Sequence, residues 1–196
     1  MKKICFATNN ENKVKEVWPL LQPDFLLLSL SEIGCHEELA ETNKTLEGNS
    51  LQKASYVFNN YHIPCFADDT GLEVEALHGA PGVYSARYAG PQRNSHDNIE
   101  LLLKNMEGIT NRKACFRTVI TLVGIEAEPI FFEGRVDGII ETNTRGVDGF
   151  GYDPVFIPEN HSRTFAEMTL AEKNMLSHRA RAVKKLVEYL RRRERK

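Results

Sequence analysis

The chain has 196 residues, 41% of them hydrophobic and 27% charged, with a formal net charge of −2. This size suits one domain spanning residues 1–196, and the near-neutral balance gives no global attraction to nucleic acid or to an anionic membrane. The N-terminal apolar run is too short for a signal peptide, no stretch approaches the roughly 18–20 apolar residues of a membrane span, and Cys5, Cys35, Cys65 and Cys115 form no Cys-x-x-Cys pair, so a reducing cytoplasm is expected.

Lys3 to Thr8 is a short apolar run and reads as a first strand. Asn10 to Leu21 follows as a helix, with Val14, Val17, Leu20 and Leu21 at helical spacing and Pro23 closing it. Phe25 to Leu30 reads as a second strand, and the polar, acidic stretch from Ser31 to Thr45 as a loop. Leu46 to Tyr61 is a helix whose stripe is Leu51, Ala54, Phe58 and Tyr61, with Asn49 and Lys53 beside the stripe. Ile63 to Ala67 is a strand leading into Asp68 and Asp69, and a turn is expected at Thr70 and Gly71. Gly79 to Gly90 is expected to be a long surface loop. Asn94 to Met106 is a helix with Ile99, Leu102, Leu103 and Met106 inward. Lys113 to Ile125 and Ile130 to Ile140 are rich in β-branched and aromatic residues and predict an antiparallel hairpin. After a turn-rich loop over residues 142–151, Pro154 to Pro158 reads as a short strand, and Ser177 to Arg193 as a helix with Val183, Leu186, Val187 and Leu190 on one face. Alternating strands and helices followed by a hairpin indicate an α/β fold with a mixed sheet.

The chemistry starts with two adjacent carboxylates. Asp68 and Asp69 repel each other unless a cation or water intervenes, and a hard divalent metal takes oxygen ligands and holds phosphates. A solvated turn is the plain alternative. Thr8-Asn9-Asn10-Glu11-Asn12-Lys13 joins a strand to a helix start, where unpaired N–H groups attract anions and Lys13 adds a full charge. It lacks the Walker spacing, and helix capping by Thr8 or Asn10 is an equally ordinary use. Glu41 offers a carboxylate within an acidic loop. Phe150-Gly151-Tyr152-Asp153-Pro154 places aromatics where a base could stack, although a core aromatic is the plainer reading of Tyr152. His178 and Arg179 at a helix start oppose the macrodipole, which suggests use on a ligand, whereas Arg191 to Arg193 at the helix end suit it.

Six pieces in fixed order complete the picture: Thr8–Lys13, Glu41-Thr42, Ala67–Leu72, Gly79–Tyr88, Phe150–Pro154 and Ser177–Arg179. Together they resemble the inosine/xanthosine triphosphate pyrophosphatase family, from residue 3 to about residue 190. The resemblance implies hydrolysis of deaminated purine nucleoside triphosphates (ITP, dITP, XTP) to the monophosphate and pyrophosphate, which cleanses the nucleotide pool. It implies a long mixed central sheet with flanking helices, two lobes around a substrate cleft, a cytoplasmic homodimer, and no nucleic-acid or membrane partner.

Carried over residue by residue, Asp69 would accept the proton of the attacking water and, with Glu41, bind Mg²⁺. Thr8, Asn9, Asn10, Glu11, Asn12, Lys13 and Lys53 would hold the phosphates. Thr70, Phe150, Gly151, Tyr152, Asp153, Lys173, His178 and Arg179 would complete the substrate site. An arginine donates only, so Arg179 facing the 6-position would accept an oxo purine and reject adenine. Two departures from the family's pattern stand out: Asn9 replaces the usual glycine of the phosphate loop, and Ser50 replaces the usual alanine after Asn49. Rival readings are a related pyrimidine triphosphate pyrophosphatase, a nucleotide sensor without turnover, and a nucleic-acid binder through residues 191–196.

Overall fold

The structure is a computed structural model and describes residues 2–194. In chain order the strands and helices are β1 (Lys2–Phe6), α1 (Glu11–Leu21), β2 (Phe25–Leu28), α2 (Leu46–Tyr61), β3 (Cys65–Val74), β4 (Pro81–Gly82), α3 (Ser95–Asn105), β5 (Lys113–Val123), β6 (Ile130–Ile140), β7 (Phe156–Pro158), α4 (Leu170–Leu176) and α5 (His178–Glu194). The strands form one mixed sheet in the order β2-β1-β3-β5-β6-β7, with β4 added to β3. The α/β fold with a mixed central sheet and flanking helices is thus as expected. Among the described residues, no helix is long and apolar enough to cross a membrane.

The chain divides into two compact units. Unit 1 comprises residues 1–69, 118–134 and 179–196; unit 2 comprises residues 70–117 and 135–178. In unit 1, β1 pairs in parallel with β2 (Ile4 opposite Leu27) and with β3 (Cys5 opposite Cys65). One core layer joins Phe6 and Phe66, stacked at 4.6 Å, to Val17 and Leu21 of α1 and to Val183, Leu186 and Leu190 of α5. Full burial of a side chain such as Leu186 contributes about 1.5–3 kcal/mol. A second layer gathers Cys5, Cys35, Leu39, Ala54, Val57 and Cys65. In unit 2, Leu72, Val74, Leu102, Phe116, Val136, Phe156 and Phe165 form the core, and β6 pairs antiparallel with β7.

The predicted helices form in their expected segments, and Asn10, Thr45 and Asn94 cap three of them through their side chains; in α2, however, the buried face is Leu46, Asn49, Ser50, Lys53, Ala54 and Val57, and Leu51, Phe58 and Tyr61 of the expected stripe are only partly buried. Three expectations need correction. No turn occurs at Thr70 and Gly71: β3 runs straight through both. Gly71 serves close approach instead, because a Cβ there would meet the Gly82 carbonyl oxygen at 2.7 Å, where β4 pairs with β3. The expected loop from Gly79 to Gly90 contains that strand and a 3₁₀ turn over Ser85–Arg87. The short α4 was not foreseen, although Thr169 and Glu172 form a capping box at its start.

Candidate active site

Successive side chains of a strand point to opposite faces. In β3 this separates the two aspartates, which take different partners within unit 1. Asp68 is fully buried and accepts from Lys13 Nζ at 2.8 Å and from Arg179 Nε at 2.9 Å. Its backbone carbonyl accepts from Lys53 Nζ at 2.8 Å. Arg179 also binds the buried Glu16 of α1, and Lys53 also binds Glu41. Asp69 accepts from Asn49 Nδ2 of α2 at 2.9 Å. Residues 13, 16, 41, 49, 53, 68, 69 and 179 therefore form one cluster, buried except at the partly exposed Lys13 and Glu41, and built from α1, α2, β3, the start of α5 and the acidic loop.

The two carboxylates differ in acidity for physical reasons. Burial would raise Asp68, but Lys13, Arg179 and Lys53 outweigh it and hold the carboxyl well below the ordinary range. Burial raises Asp69; Lys53 and Lys13 pull against it, Glu41 adds to it, and the net displacement is upward. Asp68 is thus a fixed anion that organises cations. Asp69 holds its proton more tightly than an ordinary aspartate, which makes its ionised form the better base. Burial would lower Lys53, but Glu41, Asp69 and Asp68 overcome that and raise it. In Lys13 burial dominates and the net effect is downward.

The first loop caps more than it opens. Thr8 Oγ1 accepts from Asn10 N at 3.2 Å, and Asn10 Oδ1 accepts from Asn12 N at 3.0 Å and Lys13 N at 3.3 Å. Asn9 Oδ1 accepts from Leu39 N at 3.0 Å while its Nδ2 donates to Glu37 O at 3.1 Å. Asn9 is not among the residues of positive φ, so the missing glycine does not distort the backbone here. Glu11 and Asn12 are exposed in the first turn of α1.

The remaining predicted residues belong to unit 2. Asp153 Oδ2 accepts from Lys173 Nζ at 2.5 Å and from Phe150 N at 2.8 Å. The Lys173 ammonium also lies 5.1 Å from the Phe150 ring centroid. The His178 ring stacks on Phe116 at 4.7 Å. Gly151 is left-handed, with φ +61°, and turns the chain between Phe150 and Asp153. Tyr152 is a core residue, buried and donating to Ser85 O at 2.9 Å, as the plainer reading of its sequence held. Thr70 continues β3 and is partly exposed.

The Ham1 family model matches residues 4–189. The chain belongs to the Ham1 family. It is 52% identical to a dITP/XTP pyrophosphatase of Porphyromonas gingivalis over 97% of this chain and 98% of that one. It is 45% identical to a dITP/XTP pyrophosphatase of Bacillus subtilis over 97% and 98% of the two chains. Among solved structures, the Ham1 protein of Staphylococcus aureus superposes with a TM-score of 0.87 at 37% identity, covering 97% of this chain and 98% of that one. A HAM1 protein from Coxiella burnetii superposes with a TM-score of 0.89 at 34% identity, covering 98% and 100%. The resemblance drawn from the six motifs is borne out.

Two features of this Ham1-family site were not read from the sequence. Glu16 counts as surface by its residue type, yet it is buried against Arg179; its spacing of three from Lys13 on α1 was the available signal. The sequence presents Asp68 and Asp69 as a pair, and only the pleat of β3 shows that the two take different partners. The donor set suits a hard divalent cation: Glu41 and Asp69 are carboxylates whose mutual repulsion such an ion would relieve.

Proposed function

We propose that this Ham1-family chain, acting as a single domain over residues 1–196, is a Mg²⁺-dependent pyrophosphatase that hydrolyses ITP, dITP and XTP to the monophosphate and pyrophosphate. The observation that carries the reading is the division of labour in β3, with Asp68 fixed among cations and Asp69 held as a base beside Glu41. The names of the P. gingivalis and B. subtilis relatives, both dITP/XTP pyrophosphatases, support the substrate class. Glu41 and Asp69 would hold the metal, which supplies charge neutralisation for the phosphates.

The need for that charge follows from the cluster itself. Lys13, Lys53 and Arg179 already face Glu16, Glu41, Asp68 and Asp69. Little positive charge is left over for a triphosphate carrying about four negative charges, and phosphoryl transfer depends on positioning and electrostatics. In the proposed mechanism Asp69 takes a proton from the water that attacks the α-phosphorus. Lys13 and Lys53 face the charge that develops on the departing pyrophosphate. Phe150 offers a ring to the purine, and Lys173, fixed by Asp153, offers a donor. Arg179, buried and bound to Asp68 and Glu16, is the group assigned to the 6-oxo position of the purine. We further propose a cytoplasmic homodimer that keeps deaminated purines out of the nucleotide pool.

The test is a panel of ITP, dITP, XTP, GTP and ATP with Mg²⁺, scored for pyrophosphate against orthophosphate. Pyrophosphate from the deaminated purines is expected, and orthophosphate as the main product refutes the reading. Asp69→Asn is expected to lower kcat by about 10²–10⁴-fold with nucleotide binding retained.

A further inference from the structure

We infer that Asn9 is a positioning residue that clamps the acidic loop to the start of α1 and so sets Glu41 for the divalent cation. The inference rests on the proposed metal role of Glu41. Its own evidence is the geometry of one side-chain amide. Asn9 Nδ2 donates to the carbonyl of Glu37 and Asn9 Oδ1 accepts from the amide of Leu39. In a parallel sheet, a residue opposite position j gives its N–H to the carbonyl of j−1 and takes the N–H of j+1. The Asn9 amide reproduces that pattern around Glu38, as a one-residue strand made from a side chain. The assignment of its oxygen and nitrogen is fixed by the partners, because one is a backbone donor and the other a backbone acceptor. Glycine has no group for this, and aspartate has only the acceptor.

The clamp lies just upstream of Glu41, and other anchors lie around it. The Glu37 carboxylate accepts from Tyr61 OH of α2 at 3.1 Å and from His36 N at 3.1 Å. Leu39 is buried in the unit 1 core. Downstream, Thr42 N donates to Gln52 Oε1 at 3.1 Å and Asn43 N to Asn49 Oδ1 at 2.9 Å, both on α2. Glu41 is therefore bracketed: Lys53, Gln52 and Asn49 of α2 hold it and the residues after it, while Asn9, Tyr61 and the burial of Leu39 hold the residues before it. Removing the Asn9 amide loosens the N-terminal bracket, where Tyr61 and Leu39 remain, so Glu41 keeps its place less often while the fold persists.

The experiment compares wild type with Asn9→Ala and Asn9→Gly. Mn²⁺ is titrated by electron paramagnetic resonance without nucleotide, and amide exchange is followed at Leu39. The expected result is faster exchange at Leu39 and a Mn²⁺ Kd raised about three- to tenfold for the loss of two hydrogen bonds, one exposed and one partly buried, with the protein still folded. In dITP hydrolysis, the deficit in kcat of both variants should shrink as the metal concentration rises. Unchanged Mn²⁺ affinity in both variants, or no Mn²⁺ binding by wild type, overturns the inference. So does a raised dITP KM that excess metal fails to rescue, since Asn9 would then act on the phosphates. If the Mn²⁺ shift appears but wild type releases no pyrophosphate from dITP, the clamp stands and the proposed activity falls.

Discussion

Replacing Asp68 by asparagine leaves the Lys13 ammonium and the Arg179 guanidinium in the protein interior without their shared countercharge. The expected loss is about 3–5 kcal/mol, measured by urea unfolding at pH 7. Asp69→Asn should behave in the opposite way. The Asp69 carboxyl is held above its ordinary value, so its charge is unfavourable in the folded state, and that disadvantage appears as pH rises past the ordinary value. An uncharged isostere that still accepts from Asn49 should therefore unfold at the same urea concentration as wild type, or a higher one. Equal destabilisation by the two substitutions would contradict the division of labour proposed here. None of this contrast is legible in an Asp-Asp dipeptide, because the cations that separate the two residues come from positions 13, 53 and 179. The order of motifs pointed to the family; the pairing of charges needed the fold.

Elements were easiest to read where an apolar stripe repeats. α2 and β6 have the predicted ends, α1 differs from prediction by one residue at its start, and α3 and α5 by one residue at each end. Glycine misled at Gly71, since its lack of a side chain signals a turn and a close strand approach equally well. Gly71→Ala would drive a Cβ into the Gly82 carbonyl, with an expected loss of about 1–3 kcal/mol and faster amide exchange in β4. The seven-residue α4 was too short to show periodicity, yet its capping box was written at Thr169 and Glu172. Glu172 is anchored by Arg163 and by the Thr169 amide and hydroxyl, which together lower its carboxyl to about 2. A lowered carboxylate stabilises the folded state above its ordinary value and ceases to do so as pH falls through the folded one. Wild type should melt above Glu172→Gln at pH 6, and the gap should close between about pH 4.5 and about pH 2.

At the scale of the whole molecule, all four cysteines are buried thiols outside any disulfide. Burial pushes the Cys5 thiol up to about 12, and burial with the Glu73 carboxylate pushes Cys115 up to about 11. The native protein should resist iodoacetamide at pH 8 and take up four labels only once unfolded, as mass spectrometry would show. Rapid native labelling would mean that these segments open readily.

The Arg179 contacts reach across 163 positions to Glu16 and 111 to Asp68, and α5 supplies a wall of the first core layer. A nascent chain therefore carries its first sixty-nine residues through the synthesis of residues 70–178 before the helix that completes them is made. Deleting the last helix should leave a polypeptide that exposes Phe6, Val17 and Leu21 to chaperones. Residues 179–190 are thus as much a part of the N-terminal layer as Phe6 and Val17 are.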